Sequence, residues 1–204
     1  MFFYNNIYCY KMPKNMSSDS ILSTQNTNSS NSPKEKVEEI FTLLASPVNE
    51  SLYQTIISNI SSSLFNLIYI NKKNHRQNHN HSDIFSAKKI PNLTIEDFLM
   101  RVVKYSKLEI SSLLSLYIYI MKLLKINPEI VLSYCNAYRI ILGACVLSVK
   151  FHEDYKFPFL YYAKIGGMTV QELTEVEYSF YTRIHFELFV TEEEVKETLS
   201  LLLQ

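Results

Sequence analysis

The chain has 204 residues, with 20 basic and 20 acidic side chains and a formal charge of zero at pH 7. No dense Lys/Arg face is evident, which argues against nucleic acid as a partner, and the length suits one domain with extensions. Apolar residues make up 47% and glycines number only 3; with the three-four spacing described below, this composition predicts an all-α fold.

Met1 to Tyr10 is aromatic-rich but broken by Asn5-Asn6, with no basic n-region and no long apolar core. It is not read as a signal peptide. Residues 1–33 are dominated by Asn, Ser and Thr from Asn15 onward and are expected to form a disordered polar tail. Residues 34–70 are expected to form helices that pack on the domain behind them. One covers Lys36 to Ala45, with Val37, Ile40, Phe41 and Leu44 on one side and Pro47 as its stop. The other covers Leu52 to Ile70 through Ile56, Ile57, Ile60, Leu64, Leu67 and Ile68. Residues 71–89 read as a low-complexity loop. Its His75, His79 and His81 lie in Asn-rich sequence without groups to orient a ligand set, so no metal site is assigned and no cofactor is expected.

Residues 90–204 carry the domain. Thr94, with Asp97 three positions on, opens a helix whose apolar side is Ile95, Phe98, Leu99, Val102 and Tyr105, with Arg101 at its edge. Ser106 and Glu109 offer a cap for a second helix running to about Lys125, and Asn127-Pro128 breaks it. Ser133 to Phe151 is the central element. It bears no charge from Ile140 to Val149, so it reads as a buried helix, too short to span a bilayer. Gly143, Ala144 and Cys145 are small enough to let neighbouring helices come close. The helix ends in Lys150-Phe151-His152-Glu153-Asp154.

A short linker then reaches Gly166-Gly167, which has the look of a C-cap with one glycine left-handed. Thr169 and Glu172 form a capping box for a second long helix. Val170, Leu173, Val176, Phe180, Ile184 and Leu188 make one stripe along it, and Glu177 falls inside that stripe. A carboxylate on a core-facing stripe needs a partner, and Lys150 is the natural one. A purely structural ion pair, or a lysine whose stem covers apolar surface, accounts for the pattern as well. Thr191 and Glu194 start a last helix through Val195, Thr198, Leu199 and Leu202. The cysteines are Cys9, Cys135 and Cys145. Their odd count, without any Cys-x-x-Cys, reads as reduced thiols and a cytoplasmic or nuclear location.

Several blocks in order resemble the cyclin box, and more narrowly the P/U-type cyclins. They are Ile95-Glu96-Asp97-Phe98-Leu99-Met100-Arg101, Tyr117-Ile118-Tyr119-Ile120, Tyr138-Arg139-Ile140-Ile141, Val149 to Asp154, Tyr161-Tyr162-Ala163-Lys164-Ile165-Gly166-Gly167-Met168-Thr169, and Glu172-Leu173 with Glu177. The likeness covers roughly Ile90 to Thr198. It implies a single cyclin-box five-helix bundle around a buried central helix, preceded by extra N-terminal helices. It also implies that an arginine at the position of Arg101 braces the box internally. Many cyclins have an acid in the motif Tyr-Ile-Asp-Arg, where this chain has Tyr119-Ile120-Met121-Lys122. Phe157-Pro158-Phe159 likewise stands in place of Asn-rich residues.

No catalytic constellation emerges: the chain has no nucleotide loop and no nucleophile–base order. It reads as a binding module and not an enzyme. The resemblance implies a regulatory subunit that forms a heterodimer with a cyclin-dependent protein kinase and activates it through the kinase's C helix. Neither nucleic acid nor membrane is expected as a partner. The resemblance assigns Lys150 and Glu177 to the start of that kinase helix, Phe151 to an apolar anchor beside them, and Glu153 and Asp154 to basic residues of the kinase's activation segment. A cyclin-fold scaffold that does not activate is the alternative. A DNA-binding transcription-factor core, which shares the fold, predicts a basic face and two boxes.

Overall fold

The computed structural model describes residues 50–74, 83–87 and 89–203. The polar tail, the helix expected over Lys36 to Ala45, Cys9 and the three loop histidines lie outside these residues. Among the described residues there are seven helices and no strand. They are α1 (Glu50–Lys73), α2 (Ile95–Ser106), α3 (Ile110–Ile126), α4 (Ala137–His152), α5 (Phe159–Gly166), α6 (Val170–Arg183) and α7 (Glu192–Leu202). The five from α2 to α6 form the expected bundle. Every residue from Ile140 to Val149 is buried, and α4 packs against α2, α3, α5 and α6. Each fully buried Leu or Ile of such a helix contributes about 1.5–3 kcal/mol. Helix α1 packs on α2 and α7, outside the five.

The helix starts follow from capping chemistry. Thr94 Oγ1 accepts from the Asp97 N–H at 3.0 Å and donates to Asp97 Oδ2 at 2.6 Å. Thr169 with Glu172, and Thr191 with Glu194, form complete capping boxes. The expected Ser106 cap is corrected. Ser106 is the last residue of α2, and its hydroxyl accepts from Cys145 Sγ at 3.5 Å. Glu109 is the residue that caps α3, without a side-chain cap bond of its own.

Helix α4 begins at Ala137, later than Ser133. The reason is Asn136, which is fully buried. Its Oδ1 accepts from the Ser133 N–H at 2.8 Å and its Nδ2 donates to the Val131 carbonyl at 2.9 Å. A side chain that satisfies the backbone in this way favours a turn over another helical residue. The linker before Gly166-Gly167 is itself a helix, α5. Gly167 at φ 65° closes it in the left-handed conformation that glycine accepts without strain.

Helix α6 stops at Arg183, short of Leu188. His185 and Phe186 take positive φ, 56° and 63°, and turn the chain back. The returning Leu188 carbonyl accepts from the Tyr119 hydroxyl at 2.6 Å. The stretch expected to be loop over residues 71–89 is structured at both ends. Helix α1 extends to Lys73. At the far end, Phe85 is fully buried with its ring edge-on to Phe180 at 6.0 Å, and Asp83 pairs with Arg183 at 3.0 Å.

Candidate functional site

Helices α4 and α6 cross where α4 has Gly143. A Cβ there would lie 3.0 Å from Val176 Cγ1 and 3.3 Å from Phe180 Cδ2, so only glycine permits this approach without displacement. To either side of the crossing α4 offers a cation, and each cation holds a carboxylate of α6. Arg139 pairs with Glu172 at 2.8 Å, and Lys150 pairs with Glu177 at 2.6 Å.

The Lys150–Glu177 pair expected from the stripe is therefore formed. Lys150 Nζ reaches both carboxylate oxygens, Oε1 at 2.6 Å and Oε2 at 2.8 Å. It also sits 4.7 Å from the centroid of the Phe159 ring, a cation–π distance. The Lys150 side chain is 48% exposed while that of Glu177 is 16% exposed. The pair stands at the rim of a cleft of about 370 Å³, lined also by Val146, Val149, Phe157, Phe159, Tyr162 and Thr174. The aromatic wall is braced internally. Phe157 lies 4.6 Å from Tyr161 and 5.3 Å from Tyr155, and its N–H donates to the Tyr162 hydroxyl at 3.3 Å. A largely apolar cleft edged by the Lys150–Glu177 pair and by Lys156 is suited to binding a protein surface, with the aromatic wall supplying area and the charges supplying orientation.

Beside the cleft, Phe151 is 50% exposed and Tyr155 72%. His152 is exposed, with its Nε2 3.0 Å from the Tyr119 hydroxyl. That hydroxyl already donates to Leu188, so the imidazole must donate through Nε2. Burial lowers the His152 pKa, and burial raises that of Tyr119. Glu153 turns away from the cleft: its Oε1 accepts the Glu109 N–H at 3.0 Å. Asp154 is exposed.

Lys150 and Glu177 thus meet. Phe151 and Asp154 flank them in the open, and Glu153 is occupied by the start of α3. Arg101 does not brace the box. It is exposed on α2, and among the described residues it makes no hydrogen bond or ion pair. Met121, where many cyclins have an acid, is an apolar side chain packed on the core. Bracing passes to residues that the sequence reading did not assign. Arg139 donates to the Ile84 carbonyl as well as to Glu172, and Lys122 bridges Glu194 at 2.9 Å and the Phe189 carbonyl at 3.0 Å. Phe157 and Phe159 of the cleft were also missed as a site. Their signal was the density of aromatics from Tyr155 to Tyr162.

Among the described residues no helix is long and apolar enough to cross a membrane, and no three His, Cys, Asp or Glu side chains are grouped to hold a metal.

Known proteins match this chain. It is 30% identical over 109 residues to Cyclin-U2-2 of Arabidopsis thaliana, covering 53% of this chain and 47% of that protein. It is 28% identical over 149 residues to Cyclin-U4-3 of the same plant, covering 71% and 68%. It is 31% identical over 121 residues to the PHO85 cyclin-like protein psl1 of Schizosaccharomyces pombe, covering 59% and 50%. The chain spans about half the length of most of these relatives. The family model described as Cyclin matches residues 12–188, which is most of the chain. The chain therefore belongs to the cyclin family, and within it to the P/U type.

Proposed function

We propose that this chain is the regulatory partner of a cyclin-dependent protein kinase and that it activates the kinase by engaging its C helix. The observation that carries this reading is the half-exposed Lys150–Glu177 pair at the rim of the aromatic cleft. The N-terminal N–H groups of a helix attract a carboxylate, which suits Glu177. Lys150 keeps one N–H for a backbone carbonyl. Phe151 and the cleft wall supply the apolar contact. Binding that favours the rotated C helix lets the kinase's glutamate pair with its ATP-site lysine, as phosphoryl transfer requires. The chain then acts by differential affinity for the active arrangement and performs no chemistry itself.

The test is affinity purification of the protein from its own cells, beside a Lys150→Ala/Glu177→Ala variant. The expected result is a co-purifying, active kinase with the wild type and none with the variant. An equal yield of kinase from both would remove the site assignment. A kinase that co-purifies without activity would make the protein a scaffold. Absence of any kinase, under conditions that preserve other cyclin complexes, would end the reading.

A further inference from the structure

We propose that Glu153 is a positioning residue. Its carboxylate ties the loop between α4 and α5 to the start of α3, and so places Tyr155 and Phe157 at the kinase-binding surface. This rests on the kinase-partner reading above, but replaces a direct charge contact with a tether inside the molecule.

Helix α3 starts without an acid in its first turn, and Glu109 makes no side-chain cap bond. A helix start of this kind leaves backbone N–H groups and a partial positive charge unanswered. Glu153 answers one of these groups from another element, taking the Glu109 N–H at 3.0 Å. The turn that it grips is itself held. Lys107 takes a left-handed φ of 52°. The Tyr53 hydroxyl of α1 donates to the Leu108 carbonyl at 2.5 Å. On the loop side, Lys107 Nζ lies 5.9 Å from the centroid of the Phe157 ring, and Phe157 packs on Tyr155. The loop is thus fastened to one turn at two points, by Glu153 at its first residue and by Phe157 four residues on. Asp154, exposed and without a bond among the described residues, is the acid left for a partner.

The full chain separates the tether from a charge contact through two variants. Glu153→Gln keeps an oxygen to accept the Glu109 N–H but removes the charge; Glu153→Ala removes both. Glu153→Ala is expected to speed exchange of the Glu109 amide hydrogen about five- to tenfold and to weaken affinity for the co-purified kinase by a similar factor. Glu153→Gln should stay within about twofold of wild type in both readings. Thr191→Ala, which removes the cap of α7 away from the loop, should lower the melting temperature and leave affinity unchanged. A Glu153→Gln variant that binds as weakly as Glu153→Ala, with its Glu109 amide still protected, would show a charge contact and overturn the proposal. Normal binding by a Glu153→Ala variant with a deprotected Glu109 amide would overturn it too. If the wild type binds no kinase, the kinase reading fails first and the positioning role with it, while the Glu109 amide still reports whether the tether exists.

Discussion

Both ends of α4 clamp a carboxylate of α6, yet the two clamps are built for different tasks. At the N-terminal end, the Arg139 side chain is 13% exposed and divides its donors between Glu172 and the Ile84 carbonyl. Nearby, Asn136 is fully buried with both ends of its amide bonded, and the Tyr138 hydroxyl donates to the Leu93 carbonyl at 2.5 Å. At the C-terminal end the Lys150 side chain is 48% exposed and its neighbour Phe151 stands half in solvent. A solvated ion pair adds only about 0–1 kcal/mol to stability. A buried, saturated network costs far more to break, because each orphaned group loses its solvation as well as its partner. The fold is therefore locked at one end of its central helix, and the more exposed charged and aromatic surface lies at the other.

The sharpest way to break this contrast is Lys150→Ala. It is expected to weaken kinase binding by about 2–5 kcal/mol, since Glu177 would be left uncompensated in the complex. It should cost less in fold stability, about 1–2 kcal/mol, because Lys150 is half exposed while Glu177, 16% exposed, loses its partner. Titration calorimetry with the kinase and urea unfolding read the two effects separately. A stability loss as large as the binding loss would make this pair a brace like Arg139–Glu172. Asn136→Ala is the converse. Orphaning the buried Ser133 N–H and Val131 carbonyl should cost about 2–4 kcal/mol in urea unfolding, with the folded protein binding the kinase as before.

The contrast also explains what the sequence made legible. Periodicity placed the helices because burial imposes it, and the Lys150–Glu177 pair was found because Glu177 broke an apolar stripe. The capping boxes at Thr169 and Thr191 were readable because they close over three residues. Several of the misses are long-range. Nothing in the local sequence says that Glu153 meets Glu109, 44 residues away, or that Arg139 reaches Ile84, 55 residues away. Arg101, whose bracing role was inferred from a position alone, is exposed on α2. The end of α6 was overrun because the left-handed His185 and Phe186 carry none of the glycine signal that usually marks such a stop.

Phe151→Ala gives a smaller effect that sharpens the same comparison. A half-exposed aromatic beside a cleft contributes to a partner's interface and little to the isolated fold. The expected loss is about 1–2 kcal/mol of kinase affinity with an unchanged urea midpoint. If the midpoint fell instead, the exposed end of α4 would be holding up the core.

The smallest effect lies at the locked end and is read through pH. The Thr169 backbone N–H is the main influence holding the Glu172 carboxyl below its ordinary 4.5. Burial opposes it in part, and the Thr169 hydroxyl and Arg139 add to it. A carboxyl whose pKa is depressed by folding stabilises the fold above its unfolded value, and loses that contribution as pH falls through the folded one. The window therefore opens below about pH 4.5. Glu172→Gln keeps an oxygen for the capping box and cannot titrate. The wild-type urea midpoint should fall more steeply than that of Glu172→Gln between about pH 5 and pH 3, by well under about 1 kcal/mol because the carboxylate is largely solvated. At neutral pH the two curves should run parallel. Parallel curves throughout would mean that the charge on Glu172 adds nothing. The brace would then be the Arg139 bond to the Ile84 carbonyl together with the cap on α6, and what separates the two ends of α4 would be hydrogen bonding and not charge.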